Sequence, residues 1–166
     1  MSKTEPASYS PVHILLHWVI AALIVFQLIF GESMHDLGRA LRDGGTPDAM
    51  TAFMGNAHIW VGISILVLTV IRLIVRAVYG VPAPVPSSKA QELAAKAVHG
   101  LLYLLMIVVP ITGLAAWFGG VRAAGELHEL SKPAFIILIA LHVIGALYHH
   151  FALKDRSLIR MITTRA

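Results

Sequence analysis

Apolar residues gather along this chain in four long runs, separated by short polar or proline- and glycine-rich stretches. The first, VHILLHWVIAALIVFQLIFG, covers about residues 12–31. The second, FMGNAHIWVGISILVLTVIRLIVRAVY, covers about 53–79 and carries Arg72 and Arg76 near its end. The third opens polar with KAQELAAKA and runs apolar to Trp117-Phe118, about 89–118; the fourth covers about 126–150. Some twenty apolar residues in a helix cross roughly 30 Å of hydrocarbon, so each run predicts a transmembrane helix. The gaps carry boundary signals. Pro11 suits a first helical turn. Residues 32–52 read as a polar loop, with turns at Gly44-Gly45 and Thr46-Pro47. VPAPVPSS is too proline-rich to be helical. Ser88 with Gln91 reads as a capping box, Gly119-Gly120 as a break, and the LIRMI of the tail as a short interfacial segment.

Composition agrees with this reading. The chain is 57% apolar and 13% charged, where soluble domains carry about 25% charged residues. At 166 residues, one domain is expected. The first run reads as a retained span, because its leader holds one Lys and one Glu and no clear small-residue cleavage site follows. The absence of cysteine excludes a thiolate-held iron–sulfur cluster, haem attached through C-x-x-C-H, and any disulfide. The net charge of +4 comes from basic residues flanking the apolar runs, which points to membrane orientation and away from nucleic acid. The N-tail, second loop and C-tail hold Lys3, Arg72, Arg76, Lys89, Lys96, Lys154, Arg156, Arg160 and Arg165. The first and third loops hold only Arg39, Arg42, Arg122 and Lys132. Positive charge stays inside, so both termini are expected in the cytoplasm.

The candidate chemistry lies in the nine histidines. A fourteen-residue interval recurs in every span: His17 to Gly31, His58 to Arg72, His99 to Gly113, and His128 to His142. In a helix that interval is just under four turns, so both members face within about 40° of each other, roughly 21 Å apart along the axis. Sorted by depth, an outer level holds His58, His128, Gly31 and Gly113, and an inner level holds His17, His99, His142 and Arg72. Ionisable side chains in a membrane usually face the bundle interior with a partner or cofactor. Two facing imidazoles can hold a haem iron, and a glycine lets a flat macrocycle pass close to backbone. The outer level offers His58 with His128; the inner level offers His142 with either His17 or His99. Arg72 and Arg76 suit haem propionates, and equally suit positive-inside anchors. Gly31 and Gly113 also suit plain helix packing. His149 shares the His142 stripe, one step nearer the cytoplasm, and is a candidate for hydrogen bonding to a quinone. His150 points about 80° away. His13 and His35 fall near the interfaces, with no specific role expected.

These residues resemble the bacterial cytochrome b561 family, which is similar to the membrane b-subunits of nickel–iron hydrogenases and formate dehydrogenases. The resemblance rests on His17-Trp18, on His58 with GISILVLTVIRLIVR, on HGLLYLLMIVVPITGL, and on LH-x6-HH followed by KDRSLIRM. It covers nearly the whole chain. It implies an all-α membrane protein, a four-transmembrane-helix bundle enclosing two b-type haems in the bacterial inner membrane. By that resemblance His17 and His142 ligate the cytoplasmic-side haem, and His58 and His128 the periplasmic-side haem. His99 is then a neighbour of the inner haem. Family members pass electrons between a periplasmic source and the quinone pool, and one class oxidises superoxide and reduces ubiquinone. His149 falls at the expected quinone end.

The outer segments set Arg39, Arg42, Arg122 and Lys132 against Glu32, Asp36, Asp43, Asp48, Glu126 and Glu129. That balance disfavours capture of an anion such as superoxide, except through a local patch of Arg122 and Lys132. Three functions compete. The first is a stand-alone oxidoreductase taking electrons from superoxide or another small reductant to ubiquinone. The second is a cytochrome b anchor passing electrons for a partner dehydrogenase or hydrogenase, with the acidic 32–52 segment available to dock a cationic redox protein. The third is a histidine-lined metal transporter, disfavoured because the rings sit at two depths without carboxylates beside them.

Overall fold

The computed structural model describes residues 8–164, so Lys3 and Arg165 lie outside the described part. Among the described residues six helices follow one another: α1 (Pro11–Phe30), α2 (Ser33–Arg42), α3 (Ala49–Tyr79), α4 (Lys89–Gly119), α5 (Arg122–Phe151) and α6 (Ser157–Arg160). There is no strand among the described residues. α1, α3, α4 and α5 are each long and apolar enough to cross a membrane. Most of their apolar side chains face outward, as Leu15, Ile74, Leu104 and Ile137 do. Lipid is a tolerable solvent for such a surface, so little of each helix needs burying.

The boundaries follow local chemistry. Ser10 caps α1 and Pro11 occupies its first turn. Ser88 and Gln91 form the expected capping box on α4. Gly120 adopts a left-handed conformation (φ 63°) and ends α4, as the double glycine predicts.

Two expectations need correction. The 32–52 segment is not wholly loop. α2 occupies ten of its residues, because Leu37 buries itself against Gly55 of α3 so closely that a side chain at 55 would collide with it. α3 also starts four residues before the expected 53, since Asp48 accepts hydrogen bonds from the Met50 and Thr51 amides. Likewise α5 begins at Arg122, not 126, so only Gly120-Val121 separates it from α4.

α4 packs along α5, α1 along α3, and α3 joins the two pairs. α1 and α5 make little or no direct backbone contact, and neither do α3 and α5. The dry core is Ile20, Ile65, Met106 and Phe135, one residue from each span. Ile65, Met106 and Phe135 each stand seven residues past a histidine of the fourteen-residue series (His58, His99 and His128). The apolar plug therefore lies midway between the two histidine levels.

Candidate functional site

At the outer level His58 of α3 and His128 of α5 face each other with ring centroids 5.9 Å apart. At the inner level His17 of α1 and His142 of α5 lie 6.1 Å apart. His99 of α4 also meets His142, at 4.9 Å. The first two pairs bridge helices that do not pack directly on one another; the third joins helices that do. Two imidazoles on one metal, with bonds of roughly 2 Å as for imidazole on zinc, set their ring centres about 6 Å apart. The gaps between α5 and its two non-packing neighbours have that width.

Secondary contacts aim the rings. His128 Nδ1 lies 2.8 Å from the Val109 carbonyl. A carbonyl only accepts, so Nδ1 carries the hydrogen and Nε2 keeps its lone pair for a metal. His99 Nδ1 donates in the same way to Ala95 O of its own helix, at 2.6 Å. His58 Nδ1 is buried and has no partner, and Gln27 Oε1 beside it is likewise unpaired, although Gln27 Nε2 donates to His58 O at 2.8 Å.

Space has been left for a group. A cavity of about 400 Å³ surrounds the outer pair, within the usual range for cofactor sites. Its wall is largely apolar, with Ile24, Ile63, Met106 and Phe135 among its members. A Cβ on Gly113 would sit 2.9 Å from His128 ring atoms, and one on Gly31 3.6 Å from the His58 ring. Both glycines line the cavity, and a side chain at Gly113 would narrow it against the His128 ring. α2 closes the outer side with Met34, His35, Gly38 and Arg42, and Lys132 pairs with Glu32 at the rim. The expected basic patch of Arg122 and Lys132 does not form: Arg122 is not in the wall, and Arg42 and Lys132 there are matched by Glu32 and Glu129.

The inner level has a different periphery. Arg72 Nε donates to the Tyr103 hydroxyl at 2.9 Å and Nη1 reaches His13 O at 3.5 Å. His13 itself corrects the sequence reading: it is only 4% exposed, with Nδ1 2.8 Å from Ser10 Oγ. Its helical turn faces α3, which spacing from the other histidines could not reveal. His149 Nδ1 lies 2.6 Å from Asp155 Oδ2. His150 instead stacks edge-on against Phe151, 4.7 Å between centroids, with its own Nδ1 buried and unpartnered. Asp155 was missed in the sequence; its signal is an Asp two residues before Ser157 and six beyond His149, the spacing of a turn in which an Asp side chain accepts from the amide two residues on. Burial pushes the Asp155 carboxyl up, but hydrogen bonds from Ser157 and from His149 outweigh it and hold the group below its usual range.

Imidazoles facing across gaps between spans, with glycines beside the outer pair and no thiol anywhere, fit a non-covalently held b-type haem. A four-span bundle built in this way is a membrane-bound cytochrome. The prokaryotic cytochrome b561 family model matches residues 8–164, and the chain belongs to that family. Cytochrome b562 of Cereibacter sphaeroides is 39% identical over 164 residues, spanning 98% of this chain and 99% of that protein. The probable superoxide oxidase CybB of Yersinia pestis is 31% identical over 93% of this chain and 95% of its own length. Cytochrome b561 homolog 2 of Escherichia coli K12 is 31% identical over 98% and 95%. The chain is therefore a multi-pass b-type cytochrome of the bacterial inner membrane, working in electron transfer with quinone or redox partners.

Proposed function

We propose that the chain holds two b haems and passes electrons from a small periplasmic reductant to ubiquinone on the cytoplasmic side, where both termini lie. His58 and His128 hold the outer group, His17 and His142 the inner one. The observation carrying this is that both pairs span gaps between non-packing helices, at separations of 5.9 and 6.1 Å. His99 meets His142 at 4.9 Å across the tightly packed α4–α5 seam, which supports its role as a neighbour and not a ligand. The haem, when bound, supplies reversible one-electron chemistry.

The protein's own groups do the rest. Met106, Phe135 and their partners keep water from the space between the two levels. Arg72, braced by Tyr103 and by the His13 carbonyl, holds positive charge at the inner level for propionates. α2 folds over the outer cavity, so the chain covers this end itself and admits only small donors. That supports stand-alone action over anchoring a partner dehydrogenase or hydrogenase. Superoxide suits the cover by its size; Arg42 and Lys132 in the cavity wall are matched by Glu32 and Glu129, so capture of an anion depends on Arg42, the basic side chain not paired with Glu32. Each superoxide loses one electron to become oxygen, and two such electrons with two protons convert ubiquinone to ubiquinol. His149 stands at the quinone end.

The test is a reduced-minus-oxidised spectrum with haem quantitation on the wild type, His128→Ala, His17→Ala and His99→Ala. The first two variants each lose half the haem, from different levels, and the third keeps both. Retention in His17→Ala with loss in His99→Ala would reverse the inner assignment.

A further inference from the structure

Beyond Phe151 the chain turns back on itself. Lys154 takes φ 53°, a left-handed conformation, and the Asp155 amide donates to His149 O at 3.1 Å. The reversal returns the Asp155 carboxylate to the His149 ring. Its two oxygens then divide the work. Oδ1 accepts from the Ser157 amide at 2.9 Å and from the Ser157 hydroxyl at 2.5 Å, starting α6. Oδ2 is left to His149 Nδ1, with the two side chains 11% and 21% exposed. The hook is fastened at its far end by two contacts: Arg160 Nη1 donates to Ala83 O at 2.9 Å and Trp18 Nε1 to Met161 O at 2.7 Å. The Asp155–Ser157 turn needs only Oδ1. The second oxygen, sheltered and aimed at an imidazole on the His142 stripe, is surplus to the fold.

We propose that Asp155 is the positioning residue that makes His149 a proton donor to the quinone. The inference rests on the reading of the inner face as the quinone end. The carboxylate accepts from Nδ1 at 2.6 Å and fixes the ring's orientation, so Nε2 is the atom that meets a quinone oxygen. In one turnover the quinone takes two electrons, delivered singly from the outer reductant. One proton comes from His149 Nε2 and one from water. A further proton from inner-side water recharges the imidazole, so two protons are consumed per quinol formed.

The test follows the rate at which ubiquinone-1 reoxidises the chemically reduced, full-length holoprotein. Asp155→Asn keeps an oxygen for Ser157 but presents an amide to a ring nitrogen that needs an acceptor. Its limiting rate falls on the order of 100-fold, with haem content, spectrum and half-saturating quinone concentration unchanged. His149→Ala falls as far, and the double variant no further. Ser157→Ala, which loosens the cap and leaves Oδ2 in place, stays close to wild type. A wild-type rate in Asp155→Asn with a slow His149→Ala overturns the role of Asp155. A Ser157→Ala as slow as Asp155→Asn overturns it too, by showing that hook integrity matters and the carboxylate does not. Wild-type rates in both His149→Ala and Asp155→Asn overturn instead the reading of this face as the quinone end.

Discussion

The rings of the outer and of the inner histidine pair face each other at nearly the same separation, but the two pairs have opposite surroundings. The outer pair sits in a cavity whose near wall is apolar and glycine-lined, and whose lid is the chain's own α2. The inner pair has a third imidazole, a braced arginine and a histidine–aspartate contact around it. Electron exchange with a small donor needs access and little else. Quinone reduction consumes protons, and every proton needs a titratable group near its destination. Under the proposed function the outer end would serve as the donor site and the inner end as the proton-coupled acceptor site.

The harshest way to break this contrast is to fill the outer gap. Gly113 leaves no room for a Cβ, which would lie 2.9 Å from the His128 ring. Gly113→Leu therefore displaces His128 and costs the outer haem while the inner one stays. Haem per protein falls by half, and the remaining absorbance keeps reacting with ubiquinone-1 but no longer with the outer reductant. Retention of both haems with normal outer reactivity would show that Gly113 is a packing residue only.

A milder change sharpens the inner side. Arg72 is held by Tyr103 and the His13 carbonyl, so its charge is fixed in place. Arg72→Leu removes a positive charge near the inner level, which makes a reduced, more negative centre harder to form. A unit charge at protein-surface screening is worth about 1 kcal/mol or more, and for one electron that is roughly 40 mV. Redox titration should show the inner midpoint falling by about this much and the outer midpoint unmoved. Equal shifts at both would mean that Arg72 acts on the bundle as a whole.

The spans and histidine levels were legible because a membrane leaves few ways to bury polar groups. Twenty-residue apolar runs and a fourteen-residue interval survive reading one helix at a time. What failed needed contacts between distant residues. α2 is polar over most of its length, and only Leu37 meeting Gly55 of the next helix makes it fold. α5 starts early at Arg122, and its N-cap Val121 offers no side-chain hydrogen bond, so no start signal precedes it. The placement of His13 under Arg72 joins residues 59 apart in sequence. Asp155 reaches His149 only because Lys154 reverses the chain, and a lysine does not announce a left-handed turn.

The smallest expected effect tests whether the outer end selects for charge. Lys132 and Glu32 pair at the cavity rim, both largely in solvent, with side chains 44% and 69% exposed. Such pairs contribute little to stability, so Glu32→Gln should melt with the wild type. The hydrogen bond and charge of Lys132 hold the Glu32 carboxyl below its ordinary range, so the pair is intact at neutral pH and is lost only as pH falls through that lowered value. Releasing Lys132 adds one positive charge beside the route to His128. Reaction with superoxide should then speed up roughly twofold at low salt, and the gain should vanish as ionic strength rises. A neutral reductant should show neither change. An equal gain for both donors would mean that the substitution loosens α2 and opens the cavity, making the rim a door with no preference for anions.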